Sequence, residues 1–528
     1  MKQALRTLFQ FDRPNVTFTL SETEQGGTPP FFARRKTKTD PKQQTVFTLS
    51  KRLDATQRAL ETRFHREVNP DLILRRFRIG KTQEAMLVFL TGMASEQRIN
   101  EFLLTPAMRS EWATGTKEPL RFAMENVFAL HEMEQTEEWD VMELAISEGR
   151  TAIFFEGVRG CILSETRGYV SRGVSEPKAE NVVLGPHEAF NENLRTNVTL
   201  LRRLVKLPDF VVRFLETGGR NRTRLGLGYL EGVCNRTLLR EVERRLRKVD
   251  TTAVLSSGTL EQLIESYTFF PLPQMLKTER PDRAASAIMQ GKIVLLVEGS
   301  PIACILPVTI GTLFSSAEDT YLRQPVGTLV RVVRAAGAIL SILMPAYFLA
   351  LALHHPGQLS SEVLATVVAS RIMVFLPLSV EMIFLLLVFQ LVREAGLRIP
   401  GSIGHAIGII GGLILGQAAV SANIVSTVVL IIVALTGLGN FTIPDYSTQQ
   451  CIAYYRIALC LLATLGGLLG MAAGVLMTLA ALCSIKSFGV PFLTPYAPVV
   501  VRRAPMVVRG KIQNRAEAPD AINVEGTV

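Results

Sequence analysis

The sequence predicts an integral membrane α-helical bundle preceded by a soluble N-terminal region of two α/β (α+β) subdomains. Three observations predict it. Charge is unevenly divided: residues 1–300 hold 44 Lys/Arg and 38 Asp/Glu, whereas residues 301–528 hold only 13 and 9. This is the division expected of a soluble region fused to a membrane region. Uncharged stretches of 27, 46 and 29 residues separate Arg334 from Glu362, Arg398 from Asp445, and Arg456 from Lys486. Strand and helix patterns alternate through the first part. With 48% apolar residues the chain is not disordered, and its six scattered cysteines do not form a disulfide scaffold.

Residues 1–45 read as a disordered basic tail. Its run Arg34, Arg35, Lys36 and Lys38 either touches anionic lipid or is solvated. Subdomain 1 is expected over 46–166. It contains a helix at 53–64, strands at 72–79 and 85–90, helices near 95–104 and 136–148, and a hairpin of 151–155 with 160–164. A Gly/Pro-rich connector over 167–185 leads to subdomain 2 at 186–300. There the pattern gives a helix at 188–206, strands near 209–215 and 224–229, a helix at 235–248 and a strand at 292–298.

The transmembrane domain is expected over 301–490, followed by a basic C-terminal tail over 491–528. A spanning helix needs roughly 20 apolar residues. Five segments qualify: 332–353, 373–392, 402–420, 424–440 and 457–482. A sixth, Pro301 to Phe314, is shorter and reads as a re-entrant segment or as a buried strand and turn. Arg323, Arg331 and Arg334 at the first span, and Arg393 and Arg398 after the second, predict a cytoplasmic side shared with the N-terminal region, which no secretory signal precedes. Five spans put the tail on the opposite side, yet Arg502, Arg503, Arg509 and Lys511 predict the cytoplasmic side for it. One span is therefore miscounted or the tail breaks the rule.

Glycine recurs every fourth residue at Gly404, Gly408, Gly412 and Gly416, and again at Gly466, Gly470 and Gly474. Such faces let another helix approach closely. Glu381 is an acid inside a span, costing at least ~2.5 kcal/mol at mid-membrane, so it should face protein or water. It marks either an ion path or a structural hydrogen bond. Gln417, Asn423, Ser426 and Thr427 surround the polar break between two spans and are candidates, with Glu381, for a polar path. Pro377 and Pro444 read as hinges or loop ends. Glu318, Asp319 and Arg323, at the junction of the two regions, are candidates for coupling.

No enzyme signature emerges. Gly80-Lys81-Thr82 lacks the upstream glycine of a phosphate loop, and Gly226, Gly228 and Gly232 miss dinucleotide spacing. No zinc-type spacing occurs, so neither a metal nor a cofactor is expected.

Other motifs are recognisable by order and spacing: Glu298-Gly-Ser-Pro301, Ser316-Ala-Glu-Asp319, Arg393-Glu-Ala-Gly-Leu-Arg398-Ile-Pro400, Gly416-Gln-Ala-Ala419, Ile424-Val-Ser426, Phe441-Thr-Ile-Pro444-Asp-Tyr446 and Ser487-Phe-Gly-Val-Pro491. In the soluble part Arg167-Gly168, Glu176-Pro177, Gly185-Pro-His-Glu-Ala-Phe190 and Leu194-Arg-Thr-Asn197 join them. Together, over roughly residues 70–497, the chain resembles the A subunit of the GerA-type spore germinant receptors. A proline often follows the Ile-Val-Ser motif in that family; here Thr427 takes its place.

The resemblance implies a multi-pass protein of the bacterial spore inner membrane, with its large N-terminal region in the spore core. It implies a B subunit resembling transporters and a C-subunit lipoprotein as partners, with the small nutrient germinant bound mainly by the B subunit. It also implies a homo-oligomer acting as a ligand-gated ion channel for monovalent cations. Nucleic acid is not an expected partner. A secondary transporter, or a non-conducting scaffold, are the alternative readings.

Overall fold

The computed structural model describes residues 49–497, apart from 81, 113–117, 169–175, 178, 179, 181, 183, 269, 399–415 and 495. The N-terminal tail, residues 498–528 of the C-terminal tail, residues 402–415 of the expected span 402–420, and with them Gly404, Gly408 and Gly412, thus lie outside the described residues.

Subdomain 1 is built on a five-stranded sheet of order β1-β2-β4-β5-β3, with β1 Leu72–Ile79, β2 Gln83–Leu90, β3 Met133–Thr136, β4 Thr151–Phe155 and β5 Cys161–Ser164. Every neighbouring pair is antiparallel. Gly80, at φ +58°, occupies the tight turn between β1 and β2, so the rejected phosphate-loop fragment is a hairpin turn. Alternate side chains feed two faces. Met86, Val88 and Phe154 pack under helices Leu53–Arg63 and Trp139–Ser147. Leu87, Phe89, Ile153 and Phe155 pack beneath the segment containing Leu103 and Ala107 and helix Pro119–Asn126.

Subdomain 2 repeats this plan. Strands β6 Phe210–Thr217, β7 Thr223–Leu230, β8 Leu276–Thr278, β9 Ile293–Val297 and β10 Ala303–Leu306 form an antiparallel sheet of order β6-β7-β9-β10-β8. The two orders correspond strand for strand, so the soluble region is one α+β unit used twice. Ala145-Ile, Gly149-Arg, Glu156-Gly and Cys161-Ile-Leu of the first unit align with Ala287-Ile, Gly291-Lys, Glu298-Gly and Cys304-Ile-Leu of the second.

The sheet takes in β10, so the second subdomain passes the boundary expected at residue 300, and the segment from Pro301 to Phe314 is a buried strand followed by a short helix. A buried ion pair joins the two units: Arg202 donates to Asp71 at 2.7 Å and to Asn69 at 3.0 Å.

The bundle follows. Helix α1 (Gln324–His354) leaves the soluble region, α2 is Ser361–Arg371, α3 Leu378–Arg398, α4 Thr427–Phe441 and α5 Tyr446–Ser484. Helix α5 is not a single rod. Gly467 has φ +57° and ψ −138°, and the chain reverses there. A Cβ added at Gly470 would lie 2.1 Å from the Leu462 carbonyl oxygen, and one at Gly474 2.6 Å from Leu459 Cδ2. Residues 468–484 therefore run back along 446–466. Gly470 and Gly474 meet the other arm of their own helix, whereas Gly466 faces open space.

Each end of this hairpin is located by its contacts. The first arm starts against subdomain 2, where the Cys451 thiol meets the Pro271 carbonyl and Tyr455 lies 6.1 Å from Phe270. The turn lies at the far end, where His354, the last residue of α1, makes a 2.9 Å hydrogen bond to the Thr464 carbonyl. The second arm ends at the soluble region again, with Leu482 and Ile485 in the subdomain 2 core.

By length and composition two described helices, α1 and α5, suffice to cross a membrane. The expectation of five or six spans reaches no further among the described residues, for physical reasons. Helix α3 carries Glu381, Arg393, Glu394 and Arg398, and α4 has only 15 residues. The helix that contains the expected span 457–482 begins at Tyr446 and contains a reversal.

Gly467→Ala places a Cβ 2.9 Å from that of His354 in a backbone region that disfavours side chains. We predict a loss of roughly 1–3 kcal/mol, read as a lower thermal unfolding midpoint of the purified chain. Gly466→Ala should not lower the midpoint, because nothing lies within 4 Å of its added Cβ.

Candidate functional site

The junction between soluble region and bundle holds a polar site to which both contribute. It is built in three parts.

The first is the neck leading into α1. Ser316 and Asp319 form a capping box over the 3-10 turn Ala317–Thr320, with the Ser316 amide donating to Asp319 at 3.2 Å. Asp319 is fully buried. Its carboxylate also accepts from Arg331 at 3.0 Å and from Arg334 at 3.0 and 3.1 Å. Arg334 in turn donates to the Phe314 carbonyl at 2.8 Å. Two arginines three residues apart on one helix face thus close on one carboxylate of the preceding turn. Tyr321 latches the same turn to Asp282, which Arg280 holds at 2.7 Å.

The second part is the return segment after α5. Strands β11 (Lys486–Ser487) and β12 (Val490–Pro491) make a small hairpin that docks on subdomain 2. The Ser487 hydroxyl accepts from the Val308 amide at 3.0 Å and donates to the Gln274 carbonyl at 2.7 Å. Phe488 enters the core on one face of the sheet, beneath the Arg245 guanidinium at 4.6 Å. Phe492 enters the core on the other face. The sheet is gripped from both sides by residues that follow the last helix.

The third part is acidic. Glu261 and Glu265, one turn apart, lie by Lys277, and Asp445 at the start of α5 acts on Glu261. Lys277 pairs with Glu261, and the Gln274 amide donates to Glu265 at 3.0 Å. Burial, and then the neighbouring Glu261 charge, pushes the Glu265 carboxyl up to about 8.

The residues singled out for coupling therefore separate. Asp319 is the hub. Glu318 sits on the same turn, and Arg323 is exposed at the N-cap of α1. Their partners Arg331 and Arg334 were legible only as charges flanking a span. Their spacing from Asp319, by 12 and 15 residues across a turn, was the available signal.

The polar-path candidates separate too. Glu381 and Ser426 meet at the far end of the bundle. Buried Glu381 accepts from the Ser426 amide and hydroxyl, both at 2.6 Å, with Arg371 3.3 Å from its other oxygen. The carboxylate thus caps α4, whose first residue is Thr427; the helix starts there without a proline. Gln417, Asn423 and Thr427 are exposed on the outside of the chain. Asn423 adopts φ +55° in the break between spans. A cavity of about 280 Å3 lies beside the ion pair, lined by Ala352, Leu364, Val367, Arg371 and Leu378. Pro377 and Pro444 stand at loop ends. Gly416 lies 3.6 Å, by its added Cβ, from Leu430.

Comparison with known proteins adds a family. The sequence matches the family described as Bacillus/Clostridium GerA spore germination protein over residues 58–521. Spore germination protein KA of Bacillus subtilis is 33% identical over 430 residues, covering 81% of this chain and 79% of that protein. Spore germination protein B1 of Bacillus subtilis is 32% identical over 429 residues, covering 81% and 88%. Among solved structures, the N-terminal domain of the A subunit of the Bacillus megaterium spore germinant receptor GerK3 matches at 23% identity and a TM-score of 0.37, covering 50% of this chain and 97% of that one.

Two outcomes are predicted. Asp319→Ala removes the carboxylate that pairs with buried Arg334 and half-buried Arg331 and should cost on the order of 3 kcal/mol of stability, while Arg323→Ala should cost little; thermal unfolding of the purified chain reads both. Glu265 has a folded pKa above the unfolded value of 4.5, so its contribution is full below about pH 4.5 and is lost as pH rises towards about 8. Glu265→Gln should therefore gain stability relative to wild type as pH rises across that window. Parallel pH profiles for the two proteins would contradict the assignment.

Proposed function

The chain belongs to the GerA family of spore germination proteins, and from that membership we propose that it is the A-type membrane subunit of a nutrient germinant receptor, working with B and C subunits in the spore inner membrane. The soluble region lies on the core side. Helices α1, α3 and α4, the two arms of α5 and the apolar stretch expected at 402–420, most of which lies outside the described residues, are read as six passes. An even number returns the basic C-terminal tail to the side of the soluble region, as Arg502, Arg503 and Arg509 require.

The observation that carries the reading is the double seat of the bundle. The chain enters it through the Asp319 turn and leaves it through the Ser487–Phe492 segment, and both seats are on subdomain 2. A displacement of the soluble region is then imposed on α1 and α5 together. A germinant bound by the B subunit acts by favouring one of two such positions, to the extent of its affinity difference between them.

Ion conduction is proposed for an assembly of copies rather than for a path through one chain. Glu381 is already engaged by Ser426 and Arg371, whereas Asn423 and Thr427 face outwards. Leucines on the outer surface of α5, such as Leu465 and Leu469 at 81% and 83% exposure, suit lipid or a neighbouring copy.

The test is potassium efflux from spores that carry this chain and its B and C partners and lack other receptors. A nutrient should trigger efflux, and Asn423→Trp or Thr427→Trp should change its rate at unchanged protein level. Asp319→Ala should abolish the response. Efflux indifferent to every exposed polar position would move the conducting path to another subunit and leave this one as a scaffold.

A further inference from the structure

The half of the bundle nearer the soluble region buries two cations without a carboxylate. Arg456, in the first arm of α5, is 1% exposed, and Arg393, near the end of α3, is 8% exposed. Arg456 donates to the Ser341 hydroxyl at 3.0 Å, and its Nε has no partner. Arg393 donates to the Gln450 side-chain oxygen at 2.5 Å, while its Nε and Nη1 have none. The charge of Arg393 acts on Arg456. Asn440 of α4, 1% exposed, has neither amide atom partnered.

These groups share one level of the bundle. Ser341, which holds Arg456, lies 3.4 Å from the position of a Cβ on Gly439, the residue before Asn440. Phe389, one turn before Arg393, packs on Gly437 and on Phe441 at 6.0 Å.

Glu394, the next residue on α3, acts on Arg393 only through space, and the other carboxylates of this region are committed elsewhere. Asp319 holds Arg331 and Arg334, Glu381 holds Arg371, and Asp445 caps α5 by accepting from Thr448. Among the described residues no ion pair reaches Arg393 or Arg456, and residues 399–444 contain no acid at all. Two buried like charges that act on each other are unfavourable unless something negative joins them. Free N–H groups on two guanidiniums, with an amide beside them, are the donor set that suits a tetrahedral oxyanion. Basic pockets between membrane helices at this depth take lipid headgroups.

We propose that Arg393, Arg456 and Asn440 form a binding site for a phosphate-type oxyanion, carried either by the headgroup of an anionic lipid or by free phosphate. The anion bridges α3, α4 and α5, and so ties the bundle together one level above the junction with subdomain 2.

The experiment is thermal unfolding of the purified full chain in neutral detergent. Phosphatidylglycerol, phosphatidylcholine, inorganic phosphate and, at matched ionic strength, chloride are added in turn. Phosphatidylglycerol should raise the unfolding midpoint by several degrees, and phosphatidylcholine and chloride should not. A rise with inorganic phosphate as well assigns the site to the free anion; a rise with the lipid alone assigns it to the headgroup. Arg393→Gln with Arg456→Gln should abolish the rise. Arg456→Met, which removes an uncompensated charge and keeps the volume, should melt higher than wild type without anion and respond less to it. The proposal is overturned if neither phosphate compound stabilises the wild type, or if the double variant keeps the full rise. It is equally overturned if Arg456→Met melts lower than wild type under all conditions, since the guanidinium would then be satisfied by the protein itself.

Discussion

The rest of the structure depends on one constraint: the chain must come back to the sheet it left. Phe488 and Phe492 fill opposite faces of the subdomain 2 sheet, yet more than 170 residues separate them from β10, the last strand before the bundle. They reach their places only because α5 reverses at Gly467. The reversal needs a residue without a side chain at that backbone geometry, and it needs Gly470 and Gly474 behind it so that the returning arm can lie against Leu462 and Leu459. A local property of three glycines thereby completes a core built from distant sequence.

The consequence for function is mechanical. A bundle tethered by a single linker can move independently of the domain it hangs from. Here both connections are stiff. One is a carboxylate buried under two arginines, and the other is a hairpin whose aromatic residues are core residues. The soluble region is itself one body, since Arg202 and Asp71 lock its two units together. On the proposed reading, motion passes between soluble region and bundle through two joints, with Asp319 at one and Ser487 at the other. The acidic pair Glu261 and Glu265 lies between those joints, where a change in protonation alters the charge facing the start of α5.

Much of this was legible in the sequence. The strand at Leu72–Ile79 and the helix at Arg236–Arg247 are where periodicity puts them, because long amphipathic elements carry strong patterns. Short elements such as helix Pro119–Asn126 and β8 (Leu276–Thr278) carry weak ones and were missed. The doubling of the soluble unit was written in Gly149-Arg, Glu156-Gly and their counterparts 142 residues later, but only a search at that long offset exposes it. The start of the last helix differs from the expected span for a specific reason. Charges usually bound membrane segments, so the last uncharged stretch is counted from Arg456, whereas that residue lies buried inside α5 and bonded to Ser341. Moving that boundary back to Tyr446 makes room for two arms, on which the proposed six passes rest.

The central claim is that reversal, and the most direct measurement is a distance across it. Spin labels at Tyr446→Cys and Ser484→Cys, with the native cysteines replaced, report the separation of the two ends of α5 in the reconstituted protein. An uninterrupted helix of this length would hold them about 57 Å apart. The account predicts a narrow distribution at roughly half that distance or less. A distribution centred near the straight-helix value would contradict it, and with it the seating of Phe488 and Phe492 on the sheet from which the chain departed.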